Sequence, residues 1–255
     1  MAFDLITIPC LTDNYAYLLR CTTTGEVAVI DVPEAAPIKA ELDARGWTPS
    51  QVWLTHHHYD HIDGLPDLLA AYPAKVFGAK ADQHRLPDLD VALSEGDSFA
   101  LGDLTAEVID VSGHTIGHIA FFVPAAKAAF TADSLMALGC GRLFEGTAAQ
   151  MWDSMQKMLK WPDDTVICSG HEYTASNAKF ALTVDPDNPD LISRSEMITA
   201  ARSKGQPTVP SILSTERATN PFLRPDDPAI RATLGMQTAS DTDVFAEIRK
   251  RKDNF

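Results

Sequence analysis

Short apolar runs, broken every few positions by Gly, Pro, Asp or Asn, dominate the chain up to about Tyr173. They read "FDLITI", "YAYLLR", "EVAVIDV", "QVWLT", "KVFGA", "LTAEVIDV", "IAFFVP", "AAFTA" and "TVICSG". Enrichment in Val, Ile, Phe and Thr between turn residues predicts β-strands. Between the runs, 3.6-residue spacing predicts helices over 33–46, 65–72 and 147–161. In the last of these, Met151, Met155, Met158 and Leu159 form a stripe expected to pack into the core. Strands interleaved with helices predict α/β layers with sheets in the middle.

After Tyr173 the texture changes. Helical spacing predicts helices over 175–184, 189–203 and 228–250, with a Pro/Asn/Thr-rich connection, "GQPTVPSILSTERATNPFLRPDDP", among them. Two domains follow: a strand-rich one over 1–173 and a smaller, mostly helical one over 174–255. No repeat of solenoid period and no low-complexity tract interrupts either.

Ligand-type side chains recur where the strands end. "QVWLT" runs into His56, His58, Asp60 and His61; "EVIDVSG" into His114; "AAFTA" into Asp133; "TVICSG" into His171. Sites at the carboxyl ends of strands are common in α/β proteins. Residues 55–64, "THHHYDHIDG", hold half of the chain's eight histidines. Alternation in an extended segment turns His56 and His58 to one side and His57 to the other. A turn after the strand lets Asp60 and His61 face a second position. The spacing can therefore supply two half-sites, a His56–His58 pair for one ion and an Asp60–His61 pair for its neighbour; the expected shells add His114 to the first and His171 to the second. Asp133 in "FTADSL" is the candidate bridge, with a water or hydroxide as the other. Such paired ions lie roughly 3.5–4 Å apart. Imidazole and carboxylate without clustered thiolates suit Zn²⁺ first, with Fe²⁺ and Mn²⁺ as alternatives, in an open, hydrolytic site. His57, His84 and His118 are expected to have other roles.

Composition narrows the classes. A formal net charge of −14 argues against non-specific nucleic-acid binding. No apolar run approaches the roughly 20 residues of a membrane span, and the N-terminus, carrying Asp4 and no basic cluster, is unlike a secretory signal. Cys10, Cys21, Cys140 and Cys168 are dispersed, so reduced, mostly buried thiols and a cytoplasmic location are expected. A monomer is the expected state.

Taken together, "THHHYDHIDG", "SGHTIGHI", "FTADSL" and "SGHEYT" resemble the metallo-β-lactamase superfamily. "GCGRLFEG", "TNPFLR" and the terminal "RKRKDNF" narrow the resemblance to the glyoxalase II family, the hydroxyacylglutathione hydrolases, over nearly the whole chain. The resemblance implies an αβ/βα four-layer sandwich with a dinuclear site at its edge, followed by a helical glutathione-binding domain. It implies hydrolysis of S-(2-hydroxyacyl)glutathione, chiefly S-D-lactoylglutathione, to glutathione and D-lactate, the second step of methylglyoxal detoxification. The family's seven ligands fall on the positions above, with Asp60 and Asp133 also catalytic. Its glutathione contacts fall on Arg142, Tyr173, Arg249 and Lys252. Two positions depart from the family pattern: Phe144 where a tyrosine is common, and Ala132 where "FTGD" has glycine. If the backbone at Ala132 needs a positive φ, alanine adds strain there.

Glutathione thioesters are net anions, and the run Arg249–Lys252 supplies four consecutive cations against the acidic background. A solvated helix end is the alternative for Lys250 and Arg251. Asp60 favours two metals over a mononuclear-iron persulfide dioxygenase. Another hydrolase of the same fold and a non-catalytic metal-binding module are the remaining rivals. No G-x-S-x-G elbow suggests a serine nucleophile.

Overall fold

The computed structural model describes residues 3–255. They form two compact units, 3–110 with 116–132, and 111–115 with 133–255.

In the first unit, β1 (Phe3–Cys10), β2 (Asn14–Cys21) and β3 (Val27–Ile30) form an antiparallel meander. After α1 (Ala35–Arg45), β4 (Gln51–Trp53) adds parallel to β3. The one-turn α2 (Tyr59–Ile62) and α3 (Leu65–Ala71) lead to β5 (Lys75–Ala79) and then β6 (Val91–Leu93), both again parallel. A second antiparallel meander follows: β7 (Ser98–Leu101), β8 (Leu104–Asp110), β9 (Ile119–Val123) and β10 (Ala128–Ala132). β2, β3, β9 and β10 are buried along almost their whole length, as continuous apolar runs require.

The parallel strands β4 and β5 face the second meander through aromatic rings. Trp53 meets Phe99 edge-on at 5.0 Å, Phe121 at 5.3 Å and Phe130 edge-on at 6.1 Å. Phe77 stacks on Phe99 at 4.7 Å. Truncating a buried aromatic of this kind costs about 3–5 kcal/mol. Trp53 is the last residue of β4, so the same packing fixes the point from which residues 55–64 depart.

β3, β4 and β5 run parallel, with Ile30, Trp53 and Phe77 in register. Their carboxyl ends therefore open at one edge. β3 delivers Asp31 there, β4 delivers Thr55 and His56, and β5 delivers Asp82 through the 3₁₀ turn Lys80–Asp82.

The second unit holds β11 (Leu135–Met136) and β12 (Gly139–Cys140), paired as a hairpin, then α4 (Ala148–Met158) and β13 (Val166–Ser169). Helices α5 (Thr174–Val184) and α6 (Pro189–Arg202) follow. β14 (Ser211–Ile212) pairs antiparallel with β13, and α7 (Leu213–Thr219), α8 (Pro228–Leu234) and α9 (Asp241–Asp253) complete the chain. Met151, Met155 and Met158 are fully buried, as their spacing predicts.

The expected helix over 228–250 is two helices. Gly235 takes φ +73° and caps α8, and Ser240 accepts the Asp243 N–H to start α9. A left-handed glycine five residues before a serine N-cap outweighs the continuous apolar spacing. The connection expected between the C-terminal helices also contains α7 and β14. All four cysteines are free and buried. No helix among the described residues is long and apolar enough to cross a membrane.

Candidate metal centre

In the first unit the loop 55–64 is held at both ends by backbone bonds. Ile119 N donates to Thr55 O at 3.0 Å, Val32 N to His61 O at 2.7 Å, and Gly64 N to Val32 O at 2.9 Å. Gly64 is required there, because a Cβ would lie 2.7 Å from Ala35 N.

Asp31 organises the imidazoles. It is 3% exposed, with φ +55°. Its Oδ1 accepts from Thr55 N at 2.9 Å, and its Oδ2 accepts from Thr55 Oγ1 at 2.8 Å. Oδ2 also lies 2.8 Å from His61 Nδ1, so a carboxylate acceptor fixes the proton on that nitrogen. The Thr55 hydroxyl uses its one proton as the donor to Asp31. At 3.0 Å it must therefore accept from His56 Nδ1. Both rings are left with Nε2 as the lone-pair nitrogen. This is how outer carboxylates and hydroxyls orient metal-binding histidines. Asp31, His56 and His61 offer ligand atoms within 4.8 Å of one another, but the carboxylate oxygens of Asp31 are already taken up by these hydrogen bonds.

His56 Nε2 and His58 Nδ1 stand 3.1 Å apart. Tetrahedral ligation at about 2.0–2.1 Å puts two donor nitrogens about 3.3 Å from each other. Asp60 is set by Asn14, whose Nδ2 donates to Asp60 O at 2.9 Å and Oδ2 at 3.2 Å. His57 faces elsewhere: its Nδ1 is 2.9 Å from Oδ2 of the buried Asp82, which Arg85 also engages. His118 stacks on His56 at 4.6 Å, and its Nδ1 bonds Ile119 O at 3.2 Å. His84 is exposed.

In the second unit, His114, Asp133 and His171 converge. Asp133 Oδ2 lies 3.5 Å from His114 Nε2 and 3.3 Å from His171 Nε2. These separations match donor-to-donor edges around an ion better than hydrogen bonds. One carboxylate oxygen thus stands between two imidazoles, as a bridge must. His114 Nδ1 bonds Arg142 O at 2.7 Å, which again makes Nε2 the lone-pair nitrogen. Gly141 makes the approach possible: a Cβ there would sit 1.9 Å from Asp133 O and 2.9 Å from His114 Nδ1. Ala132, just before Asp133, does take a positive φ, +40°.

Around this group, Tyr173 stacks on His171 at 4.6 Å and is 40% exposed. Phe144 is exposed and meets His114 edge-on at 5.3 Å. The Arg142 side chain is exposed, 3.4 Å from Asp253. Arg249 is buried instead; its Nη1 donates to Cys140 O at 2.9 Å, its other nitrogens pair with Asp253, and it lies over Phe222. Lys252 Nζ donates to Ser176 Oγ at 3.2 Å. Burial, and then the neighbouring Arg249 cation, hold the Lys252 pKa below the usual lysine range, while Asp253 acts in the opposite sense.

Sequence reasoning missed Asp31, Asn14 and Asp82. The signal for Asp31 was present in "VAVIDVP", a carboxylate ending an apolar strand. Nothing in the order of residues links Asn14 to Asp60.

These geometries define a class. Residues 11–171 match the family model of the metallo-β-lactamase superfamily. The B3 metallo-β-lactamase BLEG-1 shares the fold at a TM-score of 0.68 with 20% identity, covering 87% of this chain and all of that one. Within the class, residues 172–255 match the hydroxyacylglutathione hydrolase C-terminus. The hydroxyacylglutathione hydrolases of Roseobacter denitrificans and Ruegeria pomeroyi are 65% and 62% identical to this chain, each over the full length of both partners. The chain belongs to the hydroxyacylglutathione hydrolase family.

Proposed function

We propose that this chain hydrolyses S-(2-hydroxyacyl)glutathione, S-D-lactoylglutathione above all, to glutathione and the hydroxy acid. The observation that carries the reading is Asp133 Oδ2 between His114 Nε2 and His171 Nε2, in a chain 65% identical to a hydroxyacylglutathione hydrolase. The donor set fits divalent ions, since Asp31, Thr55 and the Arg142 carbonyl each hold an Nδ1 and so commit Nε2 to ligation.

His56, His58 and His114 would hold one ion, Asp60, His61 and His171 the other, and Asp133 both. Zn²⁺ is the ion favoured by this donor set, with Fe or Mn as alternatives. When bound, the ions supply Lewis acidity and lower the pKa of water to near 7. Asp60, steadied by Asn14, orients the attacking water. The leaving thiolate, from a thiol of pKa near 8.5, needs no strong general acid.

Residues 1–173 serve as the catalytic domain and 174–255 as the glutathione-binding domain. Arg142, a planar donor fork on an exposed side chain, meets a substrate carboxylate. Lys252 and the Tyr173 hydroxyl add further contacts. Arg249 belongs to the same set but approaches substrate from a guanidinium already engaged with Cys140 O and Asp253. Phe144 can pack but has no hydroxyl to offer. A net charge of −14 and free thiols fit a monomeric cytoplasmic enzyme acting on a small molecule, with no nucleic-acid or membrane partner.

Steady-state turnover of S-D-lactoylglutathione, with elemental analysis in parallel, tests the reading. Two ions per chain, activity abolished by chelation, and a Lys252→Ala variant that raises KM more than it lowers kcat are expected. A metal-loaded enzyme with no turnover of glutathione thioesters would overturn it.

A further inference from the structure

The hairpin β11–β12 connects the residue that stands between two imidazoles, Asp133, to the exposed cation, Arg142. It is only six residues long, and its loop is held by side chains of the C-terminal helical segment. Leu138, at φ +56°, donates its N–H to Glu216 Oε2 at 2.8 Å. Asn220 Nδ2 donates to Met136 O at 3.1 Å and Gly139 O at 3.0 Å. Asn177 Nδ2 donates to Ala137 O at 3.0 Å. Four successive hairpin residues are thus gripped by three side chains.

The grip is itself braced. Glu216 is fully buried, and the buried Arg194 pairs with its Oε1. Asn220 spends its remaining acceptor on Phe222 N at 3.0 Å, which fixes the amide's orientation. The Leu138 side chain is buried with Ala178, Ala181, Leu191 and Ile198 of α5 and α6. A buried charge and two buried amides cost stability unless fully bonded. Hydrophobic packing of one leucine would have anchored this hairpin more simply. What the polar grip adds is position, since it fixes backbone carbonyls to within hydrogen-bond tolerance.

Position matters here because of what the hairpin ends touch. Gly141 N donates to Ser134 O at 3.1 Å, and the backbone at Gly141 runs so close to Asp133 that a Cβ there would lie 1.9 Å from Asp133 O. The next residue's carbonyl orients His114. A shift of the hairpin would therefore move the Asp133 carboxylate and the proton acceptor of His114 together.

We propose that Glu216, Asn220 and Asn177 are positioning residues for Asp133, so that the C-terminal helical segment sets metal affinity as well as binding substrate. This rests on Asp133 serving as the metal bridge.

The test uses full-length protein: wild type, Asn177→Ala, Asn220→Asp and Asp185→Asn. The last removes one charge from the Asp185–Arg224 pair, which lies in the same helical segment and makes none of the hairpin bonds. Zn²⁺ affinity is read by competition with a chromophoric chelator, and Tm is read on the metal-free proteins. Asn177→Ala and Asn220→Asp should weaken binding of at least one ion by about ten-fold or more. Their kcat should fall with KM for the thioester changed less than three-fold. Asp185→Asn should lower Tm comparably and keep wild-type affinity. Grip variants with wild-type affinity, or affinity that falls with Tm in all three, would overturn the proposal. If Asn220→Asp does not fold, Asn177→Ala decides. Wild type that binds no ions would overturn the metal reading itself, which a failure confined to the variants would not.

Discussion

At Ala132 the chain adopts φ +40° immediately before Asp133, a conformation that costs an L-residue roughly 1–2 kcal/mol. Asp31 takes φ +55° and, through Thr55 and His61, orients part of the histidine cluster. Strained backbone thus sits at Asp31 in the first histidine cluster and beside Asp133 in the second, as it often does at functional sites. The two positions differ in what relief would do. At Ala132 the side chain is a methyl with no hydrogen bond to lose. Ala132→Gly is expected to stabilise the protein by up to about 1 kcal/mol, after the greater chain entropy that glycine loses on folding. Thermal denaturation should show Tm rising by about 2–4 °C with turnover unchanged within a factor of two. A fall in Tm would mean that the φ is imposed without strain. His56, His61 and Asp60 could be picked out from spacing alone, but their working nitrogens and oxygens could not. Those follow from Thr55, Asp31 and Asn14, partners 1 to 46 residues away.

Elements show the same division. Helix α4 carries its own start signal: Thr147 Oγ1 accepts from Gln150 N at 3.2 Å, and Gln150 Oε1 accepts from Thr147 N at 2.9 Å. The methionine stripe made a helix over 147–161 readable from sequence, and the reciprocal cap sets where it starts. Thr147→Ala should cost about 1 kcal/mol, seen as a Tm about 2–4 °C lower with kcat and KM intact. On α9 the spacing sorts the basic run. Phe245, Ile248, Arg249 and Lys252 are three or four residues apart and share a face, while Lys250 and Arg251 turn to solvent. The split between α8 and α9 was less legible, because the apolar spacing continues across Gly235. Short elements escaped as well: β6, β7, β11, β12 and β14, each of two to four residues.

For the whole molecule, metal binding and stability are linked. Ions that bind only the folded chain stabilise it by about 4 kcal/mol each when free metal is a thousandfold above Kd. Removing them with a chelator should therefore lower Tm by roughly 10 °C per ion, and adding Zn²⁺ back should restore it. An unchanged Tm would argue against metals held by buried histidines. Domain organisation can be drawn in two ways. Sequence texture and family matches change near Tyr173, whereas compact packing groups 111–115 with 133–255. The second grouping joins His114, Asp133, Arg142 and His171 to the C-terminal helices, which is why the hairpin grip could not be foreseen from either half of the sequence.

The sequence by itself determined the chemistry. Histidines and aspartates at strand ends, with alternation turning His56 and His58 to one side and His57 to the other, are local facts that period and residue type encode. The tertiary structure alone decided which nitrogen His61 and His114 present, that Asp133 Oδ2 lies close to both His114 and His171, and that Arg249 is buried while Arg142 is exposed. Each of these depends on partners distant in the chain, and hydrogen-bond partners across such distances leave no periodicity to read.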